Sequence, residues 1–273
     1  MTNLRQLDLF TEEIHQPLFW KGGQKAALLV HGFPGTPAEV RPLAAALHAQ
    51  GWTVHAPLLP GFGPQIHDLF TYHQEAWVTA VQDAQRALRA DYETVLLLGY
   101  SLGGAIALNV AAQTPPDGLA LLAPFWQIGG SATAFLWRGI RQLFPEIQIF
   151  KWVDFSNPNI QRVFENWRRV VDLDDPEVQT ALQEIRVPAR FIDEVLALGQ
   201  AAKTAAPAIG LPTLVVQGSQ DKTIAPKATH ELLRALNGQA RYVAVPAGHE
   251  LTNTATAVWP QVERAVLDFA RQF

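Results

Sequence analysis

The chain has no cysteine among its 273 residues. Disulfides, thiolate nucleophiles and cysteine-ligated metals are therefore excluded. Charge is sparse as well. Only 17% of residues are charged, the net charge is −4, and no cluster of Lys and Arg marks a nucleic-acid or anionic-lipid surface. No stretch approaches the roughly 20 apolar residues of a membrane span, so stable membrane insertion is not expected. The N-terminus, Met-Thr-Asn-Leu-Arg-Gln-Leu-Asp, lacks the basic start and continuous apolar core of a signal peptide. A soluble cytoplasmic protein is the expectation. What remains is apolar substance: 48% of the residues are hydrophobic, enough for a sizeable core.

The apolar residues come in two alternating patterns. Short runs such as Lys25-Ala-Ala-Leu-Leu-Val30, Thr94-Val-Leu-Leu-Leu98, Leu119-Ala-Leu-Leu-Ala123 and Thr213-Leu-Val-Val-Gln217 read as strands buried on both faces. Between them lie helical patterns, among them Ala38–Gln50 closed by Gly51, Gln74–Arg89 and Pro226–Leu236. A strand Arg241–Val245 and a helix from about Thr256 to Phe273 close the chain. Residues 1–24, with Gly22-Gly23 as a turn, are expected to form an antiparallel hairpin at the sheet edge. Such alternation predicts an α/β fold, a mostly parallel twisted sheet with helices on both faces. The rhythm stops at Pro124. Four of the eight tryptophans and six of the fourteen phenylalanines fall between there and Pro188. The expected organisation is a core of residues 1–124 and 189–273 carrying a helical cap at 125–188.

One stretch points to chemistry. Gly99-Tyr100-Ser101-Leu102-Gly103 joins a buried strand to an Ala-rich helix. A serine at the apex of so tight a turn is lifted clear of the sheet, the nucleophile elbow of G-x-S-x-G sequences. Serine needs a base to take its proton, and the base needs a third group to orient it. Of eight histidines, His249 lies in the loop after the last strand, on the rim where Ser101 emerges. His67 is the weaker competitor. Asp221 follows the strand Thr213–Gln217 on the same rim, although aspartate also favours such loops as a turn residue. Asp193, Glu194 and Glu250 are alternatives. Donors for an oxyanion are expected from the backbone N–H of Leu102 and of Phe33, since Pro34 beside it has none. His31 is expected to brace its loop.

Together His31-Gly-Phe-Pro-Gly-Thr-Pro37, Leu59-Pro-Gly-Phe-Gly63, Gly99–Gly104, Gln217-Gly-Ser-Gln-Asp221 and Gly248-His249 resemble the α/β-hydrolase superfamily. The likeness is to bacterial carboxylesterases of the monoacylglycerol-lipase type and covers essentially the whole core. That resemblance implies Ser101 as nucleophile, His249 as base, Asp221 as orienter, and Phe33 and Leu102 at the oxyanion. It implies hydrolysis of short- to medium-chain esters or monoacylglycerols, with no cofactor or metal. Phe33, Trp126, Trp137 and Trp152 are the expected walls of an apolar acyl pocket. Carbon–carbon bond hydrolases, perhydrolases and acyltransferases use the same three residues, and a ligand-binding receptor can stand on the same scaffold. No nucleic-acid partner is expected, and the sequence gives no oligomeric state.

Overall fold

The computed structural model describes residues 9–127, 141, 144–148, 150–157 and 172–273. A seven-stranded sheet runs through it in the order β1-β3-β2-β4-β5-β8-β9. The strands are β1 (Leu18–Trp20), β2 (Lys25–Val30), β3 (Thr53–Ala56), β4 (Thr94–Tyr100), β5 (Gly118–Leu122), β8 (Thr213–Gly218) and β9 (Ala240–Val245). A separate antiparallel pair joins β6 (Glu146–Ile147) to β7 (Val187–Pro188). All neighbours in the large sheet are parallel except β1, which runs antiparallel to β3 with Leu18 opposite Ala56.

Helices cover both faces, which explains the uninterrupted apolar runs. Along β2, Ala26, Leu28 and Val30 point into one core while Ala27 and Leu29 point into the other. The first core lies under α2 (Gln74–Asp91), α3 (Leu102–Gln113), α5 (Ala189–Ala205) and α6 (Pro226–Ala235); the second lies under α1 (Arg41–Ala49) and α7 (Trp259–Ala270). Helix α3 is buried from Leu102 through Ala111, and only small residues let it lie so close to the sheet. A Cβ on Gly103 would stand 2.3 Å from the Val30 carbonyl oxygen.

Two expectations are corrected. The edge strand is present, but its partner is β3 rather than a neighbour within residues 1–24; Leu18 is buried on that ladder, and Leu9 and Phe10 form a turn. The closing helix starts at Trp259 rather than Thr256, with Pro260 in its first turn.

β5 pairs directly with β8, and the described residues between them form an excursion from the large sheet. Its described part includes β6, α4 (Pro176–Gln183, capped by the Asp175 carboxylate), β7 and α5. Phe155, Leu173, Val178 and Leu182 form a small core of their own with Leu9 and Phe10. The N-terminal segment thus packs against the excursion before entering the sheet.

Candidate active site

The carboxyl ends of β2, β4, β8 and β9 deliver four loops to one rim, as parallel topology requires. Ser101 sits between β4 and α3 with φ +53° and ψ −116°. Such backbone values cost a non-glycine residue on the order of 1–3 kcal/mol and persist only where the surroundings impose them. Here the Ser101 N–H donates to Leu122 O at 3.0 Å, and its carbonyl accepts from Phe125 N–H at 2.9 Å and Gly104 N–H at 2.8 Å. The hydroxyl is bonded to Nε2 of His249 at 2.9 Å.

His249 Nδ1 meets Asp221 Oδ2 at 2.8 Å. The Asp221 side chain is fully buried, and its oxygens are filled: Oδ1 accepts from Thr223 N–H and Ile224 N–H, both at 2.8 Å, and Oδ2 also accepts from Gln217 Nε2 at 2.9 Å. Burial pushes the Asp221 pKa up. The hydrogen bond and charge of His249, with the two backbone donors, outweigh burial and leave it below the usual carboxylate value. A charged Asp221 fixes a proton on Nδ1, which leaves Nε2 free to accept the serine proton. Tyr100 supports the same imidazole. Its hydroxyl donates to His249 O at 3.1 Å and its ring lies 5.5 Å from the imidazole, tilted by 30°.

On the other side of Ser101, the loop after β2 comes very close: a Cβ on Gly32 would lie 3.1 Å from Ser101 Cβ. Two side chains hold this loop. His31 is fully buried; Nδ1–H donates to Gly32 O at 2.9 Å and Nε2 accepts from Leu59 N–H at 3.2 Å. Burial lowers its pKa to about 4, only partly offset by the bond to Gly32, so the ring is neutral. Glu39 Oε2 accepts from Gly32 N–H at 2.9 Å, and its carboxylate occupies the space a side chain at position 35 would need. Leu102 opens α3, where the first N–H groups have no acceptor within the helix.

The residues expected to surround an acyl group fare differently. Phe33 is half-buried and packs on Phe191 and Phe62, with ring centroids 5.7 and 6.2 Å away. Phe70 and Trp77 complete this aromatic wall against Phe191. Trp126 is buried, its indole N–H donating to Ala228 O on α6. Trp152 is 88% exposed, with the Lys151 ammonium over its ring, so it lines no pocket; Phe155 takes the buried place in that turn. Trp137 lies outside the described residues.

Of the alternative groups, Asp193 pairs with Arg141, and Glu194 pairs with His73 while accepting from Gln74 N–H. Neither is the partner of His249. His73, Glu75 and Glu194 are also the group among the described residues whose ligand atoms lie close enough to hold a cation, at the N-terminus of α2. Sequence reasoning missed Glu39, Gln217, Tyr100 and Phe191. The available signal for Gln217 was a polar residue ending an otherwise apolar strand; Glu39 carried no signal that set it apart from other acids near a helix start.

No described helix is long and apolar enough to cross a membrane. A carboxylesterase of Bacillus subtilis (strain 168) is 38% identical over 105 residues, 38% of this chain and 43% of the relative. A thermostable monoacylglycerol lipase of Bacillus sp. (strain H-257) is 37% identical over 102 residues, 37% of this chain and 40% of the relative. The matched stretch thus spans less than half of either curated relative. Among solved structures, the monoacylglycerol lipase of Paleococcus ferrophilus superposes with a TM-score of 0.70 at 18% identity, covering 93% of this chain and 96% of that one. A lipolytic enzyme from the metagenome-derived pair LipS and LipT gives 0.74 at 18% identity, covering 96% and 99%. At these identities the likeness shows the fold, which is that of α/β-hydrolases. The family model described as serine aminopeptidase, S33 matches residues 23–255, most of the chain, and the chain belongs to that hydrolase family.

Proposed function

We propose that the protein is a serine carboxylesterase or lipase that hydrolyses short- to medium-chain carboxylic esters or monoacylglycerols. The observation that carries this reading is the unbroken series of hydrogen bonds from Ser101 through His249 to buried Asp221. In the proposed cycle His249 takes the Ser101 proton as the hydroxyl oxygen attacks the ester carbonyl. The tetrahedral oxyanion is received by the N–H groups of Phe33 and Leu102, and His249 then gives its proton to the departing alcohol. Water, deprotonated by the same imidazole, attacks the acyl-enzyme and releases the acid. The aromatic wall of Phe33, Phe70 and Phe191 supports an apolar acyl group. In this reading residues 125–188 form the cap over that wall.

Hydrolysis of p-nitrophenyl esters from acetate to palmitate, wild type beside Ser101→Ala, tests the proposal. Turnover that peaks at short or medium chains and vanishes in Ser101→Ala is the expected result. A folded wild-type protein that cleaves an aminoacyl p-nitroanilide but none of these esters would overturn it.

A further inference from the structure

The hydrogen-bonded series does not stop at Asp221. Oδ2 of that carboxylate, the oxygen that orients His249, is shared with the amide of Gln217 at the end of β8. The amide is itself fixed at both ends. Nε2 also donates to Ile224 O at 3.1 Å, while Oε1 accepts from the Thr229 hydroxyl on α6 at 2.6 Å. Gln217 and Thr229 are both fully buried, so water cannot replace either partner. A reversed amide would set Oε1 against three oxygens, Asp221 Oδ2, Ile224 O and Gly218 O. One orientation therefore remains, with its N–H group aimed at Asp221.

From this we infer that Gln217, held by Thr229, is a positioning residue for the reaction: it fixes the Asp221 carboxylate, and through it the imidazole of His249. Burial alone would push a carboxylate toward its neutral form, and a neutral Asp221 would no longer fix the proton on Nδ1. Four donors meet the two oxygens of Asp221, and Gln217 is the one supplied by a side chain other than His249. Its loss leaves Oδ2 with the imidazole alone, free to rotate about the bonds to Oδ1. Misplacement of an attacking or accepting group by about 1 Å is enough to lower the rate strongly, even when the cause lies away from the reacting atoms. This assignment rests on Asp221 as the orienting carboxylate of the proposed esterase.

The test uses Gln217→Met, close in volume but without the donor, and measures kcat, KM and the proton NMR line of the His249 Nδ1–H, which a bond to carboxylate moves far downfield. The expected result is a fall in kcat of about tenfold or more with KM within about twofold, and displacement of the downfield line. Should Gln217→Met fail to fold, Thr229→Val decides: a smaller fall in kcat, about threefold, a displaced line, and restoration of both by Thr229→Ser. Folded variants with a lower melting temperature but unchanged kcat and an unmoved line would overturn the inference, because Gln217 would then be structural only. If the wild-type protein turned over no ester, the proposed activity would fall, and the line in Gln217→Met would still decide whether the amide positions His249.

Discussion

The two loops that flank Ser101 each carry a histidine, and the two rings are put to opposite uses. His31, after β2, is fully buried with both nitrogens bonded to backbone, Gly32 O on one side and Leu59 N–H on the other. His249, after β9, keeps 17% of its side chain exposed and bonds to two side chains, Asp221 and Ser101. Burial without a charged partner leaves His31 neutral with a pKa of about 4. The facing carboxylate at Asp221 equips His249 to accept a proton. The partners separate the two rings: backbone groups on both nitrogens make His31 a brace, while a carboxylate and a hydroxyl give His249 the contacts of the base in the proposed reading.

The sharpest way to break this comparison is His249→Ala. It is expected to lower kcat by at least roughly 10³-fold, since members of such a relay act as a unit, as steady-state kinetics on an active ester would show. Activity near wild type would return attention to His67. The next effect concerns His31 and is one of stability. Its folded pKa lies below the unfolded value, so the unfolded chain binds the extra proton first. Stability is full above about pH 6.5 and declines as the pH falls toward 4, by up to about 3 kcal/mol from this residue. Urea unfolding at pH 7 and pH 4.5 should show that decline in wild type and a flatter dependence in His31→Phe. Glu39→Ala comes third: freeing Gly32 N–H should lower kcat about tenfold, with Glu39→Gln, which keeps an acceptor, closer to wild type. The smallest effect is expected for Trp152→Ala. A side chain that is 88% exposed should change stability by less than about 0.5 kcal/mol and leave kcat unchanged, by thermal melting and kinetics on the same preparation.

Much of this was legible in the sequence where the signal was local. Ser101 directly follows buried β4, Asp221 comes three residues after buried β8 and His249 four residues after the largely open edge strand β9, and parallel topology sends all such loops to one rim. His31 was readable as a brace because it follows β2 at the start of a Gly- and Pro-rich loop. The anchor of the Gln217 amide and the aromatic wall were not readable, because their partners are remote in sequence. Thr229 is 12 positions from the amide it fixes, and Phe33 meets its aromatic neighbour Phe191 across more than half the chain. The tryptophans of the excursion show the complementary limit. An aromatic count carries no direction, and within one short turn Phe155 points inward while Trp152 points to solvent. The edge strand misled for the same reason: Leu18–Trp20 looked ready for a local hairpin, but β3 offered a ladder already paired with the sheet.

In the proposed reading the hydrogen-bonded series makes Ser101 a nucleophile toward ester-like centres. Treatment with a fluorophosphonate, followed by mass spectrometry of the intact protein and its peptides, tests it most directly. One equivalent of phosphonyl group attached to Ser101 is expected, absent in Ser101→Ala and much slower to form in His249→Ala. Unlabelled wild-type protein, or labelling that persists in Ser101→Ala, would contradict it.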